Sequence, residues 1–156
     1  MGLGDFFPEG ERQKSIKRQL TTGTILYLHC IFTTPPKDKY LLLLVSGNPD
    51  YRFFVINTHI NDFIKNRQSL KDSQVSLPVS EHTFLDHDSF INCSEIRHLS
   101  MKNVESQLID DMSRIKGEIS EPVRTEIINA VTDARTLSKI EKKEIIDQLS
   151  QSEMTA

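Results

Sequence analysis

Residues 24–32, TILYLHCIF, begin a run of three segments that decides the fold of this chain. The second segment is YLLLLVS at 40–46, and the third is YRFFVINT at 51–58. All three are rich in branched and aromatic side chains, which fit the pleated surface of a β-sheet. The sequence therefore predicts three consecutive strands.

The connections and later segments indicate how such strands pair. A Pro-Pro pair at 35–36 and the sequence GNPD at 47–50 predict a loop and a turn, because proline cannot donate to a strand ladder. Weaker strand patterns follow at 75–79, at 83–85 and in FINCSEI at 90–96. No helix-length segment separates the early strands, so a parallel sheet is disfavoured. We expect five or six strands in a compact antiparallel barrel.

The last third of the chain has helical periodicity. Apolar residues three or four positions apart predict a first helix ending near Gly117, which suits a C-terminal cap: Val104, Leu108, Met112 and Ile115. Ser120 and Pro122 suit the start of a second helix. Its apolar stripe comprises Val123, Ile127, Val131 and Ala134. Ser138 and Glu141 form a capping-box sequence before a third helix that carries Ile140, Ile145, Ile146 and Leu149.

Composition and charge limit the function classes. The chain has 156 residues, 37% of them hydrophobic, and a net charge of -3, which argues against coating nucleic acid by bulk electrostatics. Residues 1–80 contain 10 basic and 7 acidic side chains, whereas residues 81–156 contain 9 and 15. An anionic ligand would favour the first half, although a modest asymmetry of this kind is also ordinary surface scatter. With no apolar stretch typical of a signal peptide or a membrane span, we expect a cytoplasmic protein.

Two groups of side chains contain residue types found in disulfides or metal sites, but their positions in the sequence do not favour either kind of site. Cys30 and Cys93 lie in separate strand-like segments, and we expect both to be reduced and buried. A second group combines several metal-ligand residue types within eight positions: Glu81, His82, Asp86, His87 and Asp88. Its histidines have neither helical nor strand ligand spacing, so a polar loop explains it better and we expect no metal or other cofactor.

Several short motifs, taken in order, resemble the PemK/MazF growth-inhibitor toxins. They are GTIL at 23–26, the strand from Lys39 to residue 46, VINT at 55–58, DSFINCSEIRHL at 88–99 and KGEIS at 116–120. Each motif is short, and the likeness rests on their order and spacing over residues 23 to about 130. The resemblance implies a mainly β, α+β protein, with an SH3-like antiparallel barrel followed by two or three helices. We expect an N-terminal arm at 1–22, the barrel with a packed helix at 23–120, and a helical extension at 121–156.

The same resemblance implies a chemistry and partners. Members of the family cleave single-stranded RNA without a metal: the 2'-hydroxyl attacks the adjacent phosphorus and leaves a 2',3'-cyclic phosphate. They act as homodimers and are held in check by an antitoxin protein. The family places an arginine before the second strand and a threonine at the end of the third.

Thr58 matches the family's threonine, whereas Lys39 stands in the place of the arginine and Tyr40 in that of a proline. Lysine supplies a point charge without the planar fork of a guanidinium, which puts activity in question. His59 is a further candidate for proton transfer, provided that the strand ends before it. A surface lysine and a strand-closing threonine are the alternative readings.

Cations that are candidates for binding RNA phosphates are Lys37, Arg52, Lys65 and Arg67. Solvated loop cations are the plainer explanation for them. Two functions therefore stay open. The preferred one is an endoribonuclease toxin, and the alternative is a weakened or inactive barrel that binds RNA or a protein.

Overall fold

The computed structural model describes residues 9–46 and 49–155, which contain six strands and six α-helices. The strands are β1 (Thr24–Cys30), β2 (Lys37–Ser46), β3 (Asp50–Asn57), β4 (Gln74–Leu77), β5 (Ser89–Ser100) and β6 (Ile115–Glu118). The helices are α1 (Glu9–Gln19), α2 (Asp62–Lys65), α3 (Gln68–Lys71), α4 (Met101–Asp110), α5 (Glu121–Asp133) and α6 (Lys139–Thr155). None of these helices is long and apolar enough to cross a membrane.

The strands form one sheet in the order β4-β5-β3-β2-β1-β6, and every neighbouring pair is antiparallel. The β2–β3 register shifts between Leu43 and Val45, and the β3–β5 register shifts between Phe53 and Val55. Such bulges bend a strand and increase its twist. The result is a curled half-barrel, which confirms the predicted fold class.

The unbroken leucine run of β2 is explained by cover on both faces of the sheet. Successive side chains of a strand point to opposite faces, yet Leu41, Leu42, Leu43 and Leu44 are all fully buried. Leu42 and Leu44 lie in a first core with apolar residues of α5 and α6. Leu41 and Leu43 lie in a second core with Ile16 of α1 and apolar residues of α4. Each such leucine contributes about 1.5–3 kcal/mol relative to an exposed one.

The C-terminal helices begin where the sequence predicts. The capping box of α6 is confirmed: the Ser138 N–H donates to Glu141 Oε1 at 2.9 Å, and the Glu141 N–H donates to Ser138 Oγ at 3.1 Å. α5 and α6 complete the first core. Arg124 of α5 is buried there and donates to the Leu149 carbonyl at 3.2 Å. These helices are therefore part of the packing of the sheet.

The predicted first helix is wrong in its second half. α4 ends at Asp110, and Met112 lies in a single 3-10 turn. Ile115 and Gly117 belong to β6, where Gly117 pairs with Ile25 instead of capping a helix. The apolar spacing continued into β6 because a strand that packs on the same core also needs an apolar residue there.

Two further segments differ from expectation. The predicted strand at 83–85 is a series of turns, and β6 is the sixth strand instead. The expected arm contains an 11-residue helix, α1, and Ile16 and Leu20 are buried against the sheet. Two apolar residues in a polar segment gave little sign of this packing. Part of the predicted turn at 47–50 lies outside the described residues.

Candidate functional site

Lys39 lies near the start of β2, at the end of the sheet where β1 and β3 finish. It is opposite Leu28 on β1. The β2–β3 register, with Leu41 opposite Val55, places it across from Asn57. Its Nζ donates a hydrogen bond to Asn57 Oδ1. The sequence predicted the lysine as a candidate but gave no reason to select Asn57, because this pairing depends on the register.

A groove of about 330 Å³ surrounds this pair. Its lining comprises Tyr27, Lys37, Asp38, Lys39, Tyr40, Ile56, Asn57, Thr58 and His59. β3 ends at Asn57, so strand alternation no longer separates Thr58 from His59. Lys39, Thr58 and His59, the three catalytic candidates, therefore share one groove with Lys37.

The environment of Lys39 favours loss of its proton. Burial is the largest cause that lowers the pKa of Lys39, and the positive charges of Lys37 and Arg97 lower it further. The nearby Cys30 acts in the opposite direction. Lys39 is therefore easier to deprotonate than an exposed lysine.

Asp38 lies between Lys37 and Lys39 in the sequence, but its carboxylate contacts two side chains outside the groove lining. Its Oδ1 lies 3.0 Å from His29 Nδ1, and its Oδ2 lies 3.6 Å from Arg114 Nη1. The carboxylate is thus already held between two side chains of the sheet and the 3-10 turn. Lys37 and Lys39 leave the groove with a positive character suited to a phosphate.

One wall of the groove is aromatic. The rings of Tyr27 and Tyr40 lie 4.6 Å apart, and Tyr40 continues to Phe84 at 6.0 Å. The Tyr40 hydroxyl donates to the Phe84 carbonyl at 3.3 Å. Burial raises the pKa of Tyr40 above its usual value, so its hydroxyl stays protonated. Sequence reasoning missed Tyr27, because its pairing with Tyr40 depends on the β1–β2 register.

The cysteines and the acid–histidine loop have structural explanations. Cys30 and Cys93 are buried and free, as predicted, and burial raises the pKa of Cys30 to about 11. His82 Nδ1 contacts the Pro78 carbonyl at 2.8 Å, and its Nε2 accepts from the Ser120 N–H at 3.1 Å. Both ring nitrogens of His82 are therefore used by the backbone. Within the described ranges, no group of three or more His, Cys, Asp or Glu side chains is placed to hold a metal ion.

No protein-family profile matches this sequence, and no curated protein is detectably similar to it. Among solved structures, the Mycobacterium tuberculosis toxin MazF-mt6 resembles it with a TM-score of 0.51 and 12% sequence identity. The match covers 74% of this chain and 98% of that chain. The chain has a MazF-like fold. At such low identity the likeness shows the fold alone, and any chemistry has to be argued from the residues in the groove.

The predicted RNA-binding cations are dispersed in this MazF-like fold. Of the four, Lys37 lines the groove. Arg52 instead forms an ion pair with Glu144 of α6 at 2.6 Å, so its guanidinium already has an acidic partner within the protein. The Arg67 guanidinium stacks on the Phe63 ring at 3.8 Å, and Lys65 is exposed at the end of α2. The groove and the segment after His59 are thus the two places where predicted cations remain accessible.

Proposed function

We propose that this protein is a metal-independent endoribonuclease that cleaves single-stranded RNA, as the resemblance to PemK/MazF toxins suggests. The observation that carries the proposal is the shared groove of Lys39, Thr58 and His59 at the end of β3. Cleavage by the RNA's own 2'-hydroxyl needs a base, an acid and stabilisation of the phosphorane charge. The groove contains side chains suited to charge stabilisation and to accepting the 2'-hydroxyl proton.

Lys39 is suited to stabilising the phosphorane. It is half-buried and its ammonium is held by Asn57, so it would meet a phosphate oxygen with little reorientation. A partly desolvated charge of this kind is worth more than an exposed one. Asn57 acts here as a positioning residue.

Thr58 and His59 are suited to the remaining tasks. The Thr58 hydroxyl can donate to a non-bridging phosphate oxygen. A neutral imidazole nitrogen accepts protons, so His59 can take the 2'-hydroxyl proton, while water protonates the leaving 5'-oxygen. The Tyr27 and Tyr40 rings offer faces on which a neighbouring base can stack.

The proposal includes the family's partners. A second copy of the chain would extend the groove, and an acidic antitoxin segment would compete with RNA for Lys37 and Lys39. Both expectations come from the resemblance and the positive character of the groove.

The test is to incubate the purified protein with mixed-sequence single-stranded RNA in EDTA and to map the cleaved ends. We expect 2',3'-cyclic phosphate ends, and a rate that falls roughly 100- to 1000-fold in Lys39→Ala and in Thr58→Ala. Lys143→Ala, at an exposed position on α6 outside the groove, is the matched control and should cleave normally.

The second candidate is an RNA-binding module without catalysis. It is favoured by one feature: Lys39 lacks the fork with which arginine holds two phosphate oxygens. RNA that stays intact over a wide pH range, yet binds the wild type and not Lys39→Ala, would replace the endoribonuclease proposal with this one.

A further inference from the structure

A second groove lies at the free edge of the sheet, away from Lys39. It has a volume of about 730 Å³ and is lined by three parts of the chain: the α3 region, β4 and α5. β4 is the first strand of the sheet order and pairs with β5 on one side only. The groove therefore follows a strand edge between two helices.

The hydrogen-bond register shows which backbone groups face this groove. The Cys93 N–H donates to the Ser73 carbonyl at 2.9 Å, so 73 and 93 are a hydrogen-bonded antiparallel pair. Such pairs alternate, which makes Val75–Ile91 and Leu77–Ser89 the next two. The N–H and C=O groups of Gln74 and Ser76 consequently point away from β5, towards the free edge.

These outward groups have no protein partner within residues 9–46 and 49–155. Ser76 is exposed, whereas Val75 and Leu77 are buried in the first core. The strand is therefore held firmly by its apolar side chains while its edge stays open. Many proteins shield such an edge with a proline, a lysine or a bulge, and β4 contains none of these.

The charged side chains beside the β4 edge indicate which kind of added strand would bind there. Asp72, Glu126 and Asp133 line the groove, and Arg135 is the one cation in its lining. A second copy paired through the same edge would bring these carboxylates against their own equivalents, because a twofold interface repeats the same patch. An RNA backbone would be repelled as well. An extended, basic segment of another protein has the complementary charge.

We propose that the β4 edge binds an extended, lysine-rich segment of a partner protein as an added strand between α3 and α5. Backbone hydrogen bonds to Gln74 and Ser76 provide affinity, and the carboxylates select basic side chains. This surface is separate from the groove of Lys39 and does not depend on the proposed cleavage.

The probe is a short fluorescent peptide that alternates lysine and threonine, and binding is measured by fluorescence anisotropy at low salt. A peptide with glutamate in place of lysine should bind at least about tenfold more weakly. Two further lysine peptides carry methyl groups on the backbone nitrogens of either the odd or the even residues. Only one of these two sets of N–H groups faces the β4 edge, so methylating that set should abolish binding. Equal binding of the lysine peptide and both methylated forms would overturn strand addition.

Protein variants test the location. Ser76→Pro removes the outward N–H at a position where an edge strand tolerates proline, and it should weaken binding at least about tenfold. Ser76→Ala keeps that N–H and should bind normally. The double variant Glu126→Gln and Asp133→Asn, which does not touch the strand, should lose the preference for lysine over glutamate.

Sedimentation of the protein alone tests whether a second copy of the chain, instead of a partner protein, binds the β4 edge. A concentration-dependent dimer that Ser76→Pro abolishes would overturn the proposal in favour of a second copy. Peptide binding that is unchanged in both Ser76→Pro and the double carboxylate variant would overturn it as well.

Discussion

At the scale of single residues, the lysine at position 39 changes what the groove can do. Arginine stays charged at any accessible pH, whereas the pKa of Lys39 is lowered, so Lys39 loses its proton more readily than an ordinary lysine. Burial makes the largest contribution to this lowering, and Lys37 adds to it. Lys39 should therefore impose an alkaline limit on the proposed activity that an arginine at this position would not impose.

The sign of this pH dependence follows from the charged form. If cleavage needs the Lys39 cation, activity is complete below its pKa and is lost as the pH rises through it, at a pH below the ordinary value of 10.5. Lys39→Arg should remove this alkaline loss. Lys37→Gln should shift it to higher pH, because a neighbouring positive charge disappears. Cleavage rates, corrected for uncatalysed RNA hydrolysis, give the profiles.

An alkaline limit at the same pH in wild type and Lys39→Arg would assign the titration to another group. Lys102→Gln, at an exposed position on α4, serves as the control for loss of a surface charge and should leave the profile unchanged.

At the scale of elements, the edge of β1 is completed by side chains. β6 pairs only with Thr24–Leu26 of β1. Beyond it, the Gln107 amide of α4 both accepts from the His29 N–H at 2.8 Å and donates to the His29 carbonyl at 3.1 Å. Arg114 donates to the Tyr27 carbonyl at 2.8 Å. These contacts satisfy backbone groups that a longer β6 would have paired.

Gln107→Ala should leave the His29 backbone without these two partners. Both hydrogen bonds are exposed to solvent, so we expect a loss of about 0.5–1.5 kcal/mol in the free energy of unfolding, measured by urea denaturation. The opened edge should also increase association at high protein concentration. Ser106→Ala, at the exposed neighbouring position, should change the unfolding free energy by about 0.5 kcal/mol or less. Equal stability of the two variants would mean that water replaces the amide without cost.

At the scale of the whole molecule, α6 joins the packing of the sheet. Ile145 and Leu149 of α6 are buried in the first core, and Glu144 of α6 forms an ion pair with Arg52 of β3. Ile140 is another of the apolar residues that the sequence analysis named on this helix, but it is 73% exposed. The packing contacts of α6 thus begin after its first turn.

If α6 and the sheet unfold together, Leu149→Ala should destabilise the whole molecule by about 2–5 kcal/mol. Ile140→Ala should change the unfolding free energy by about 0.5 kcal/mol or less. Because the chain has no tryptophan, far-UV circular dichroism and tyrosine fluorescence are the two probes. Coincident transitions indicate one cooperative unit, whereas an early helical transition that leaves the tyrosine signal intact would make α6 a separate extension.

Sequence patterns determined the elements whose signal is local. Dense branched and aromatic residues mark β1 to β3, and the reciprocal bonds of Ser138 and Glu141 need only neighbouring positions. The same is true of the candidate residues: Lys39, Thr58 and His59 could be selected one by one from their order along the chain. Buried, reduced cysteines also followed from their apolar surroundings.

Tertiary structure alone decided which residues strand pairing brings together. The register of β2 and β3 places Asn57 beside Lys39, and the end of β3 brings Thr58 and His59 into the same groove. β6 replaced the end of a predicted helix because its residues complete the edge of β1. Local propensities differ by about 1 kcal/mol or less per residue, so the pairing and burial available in the folded chain override them.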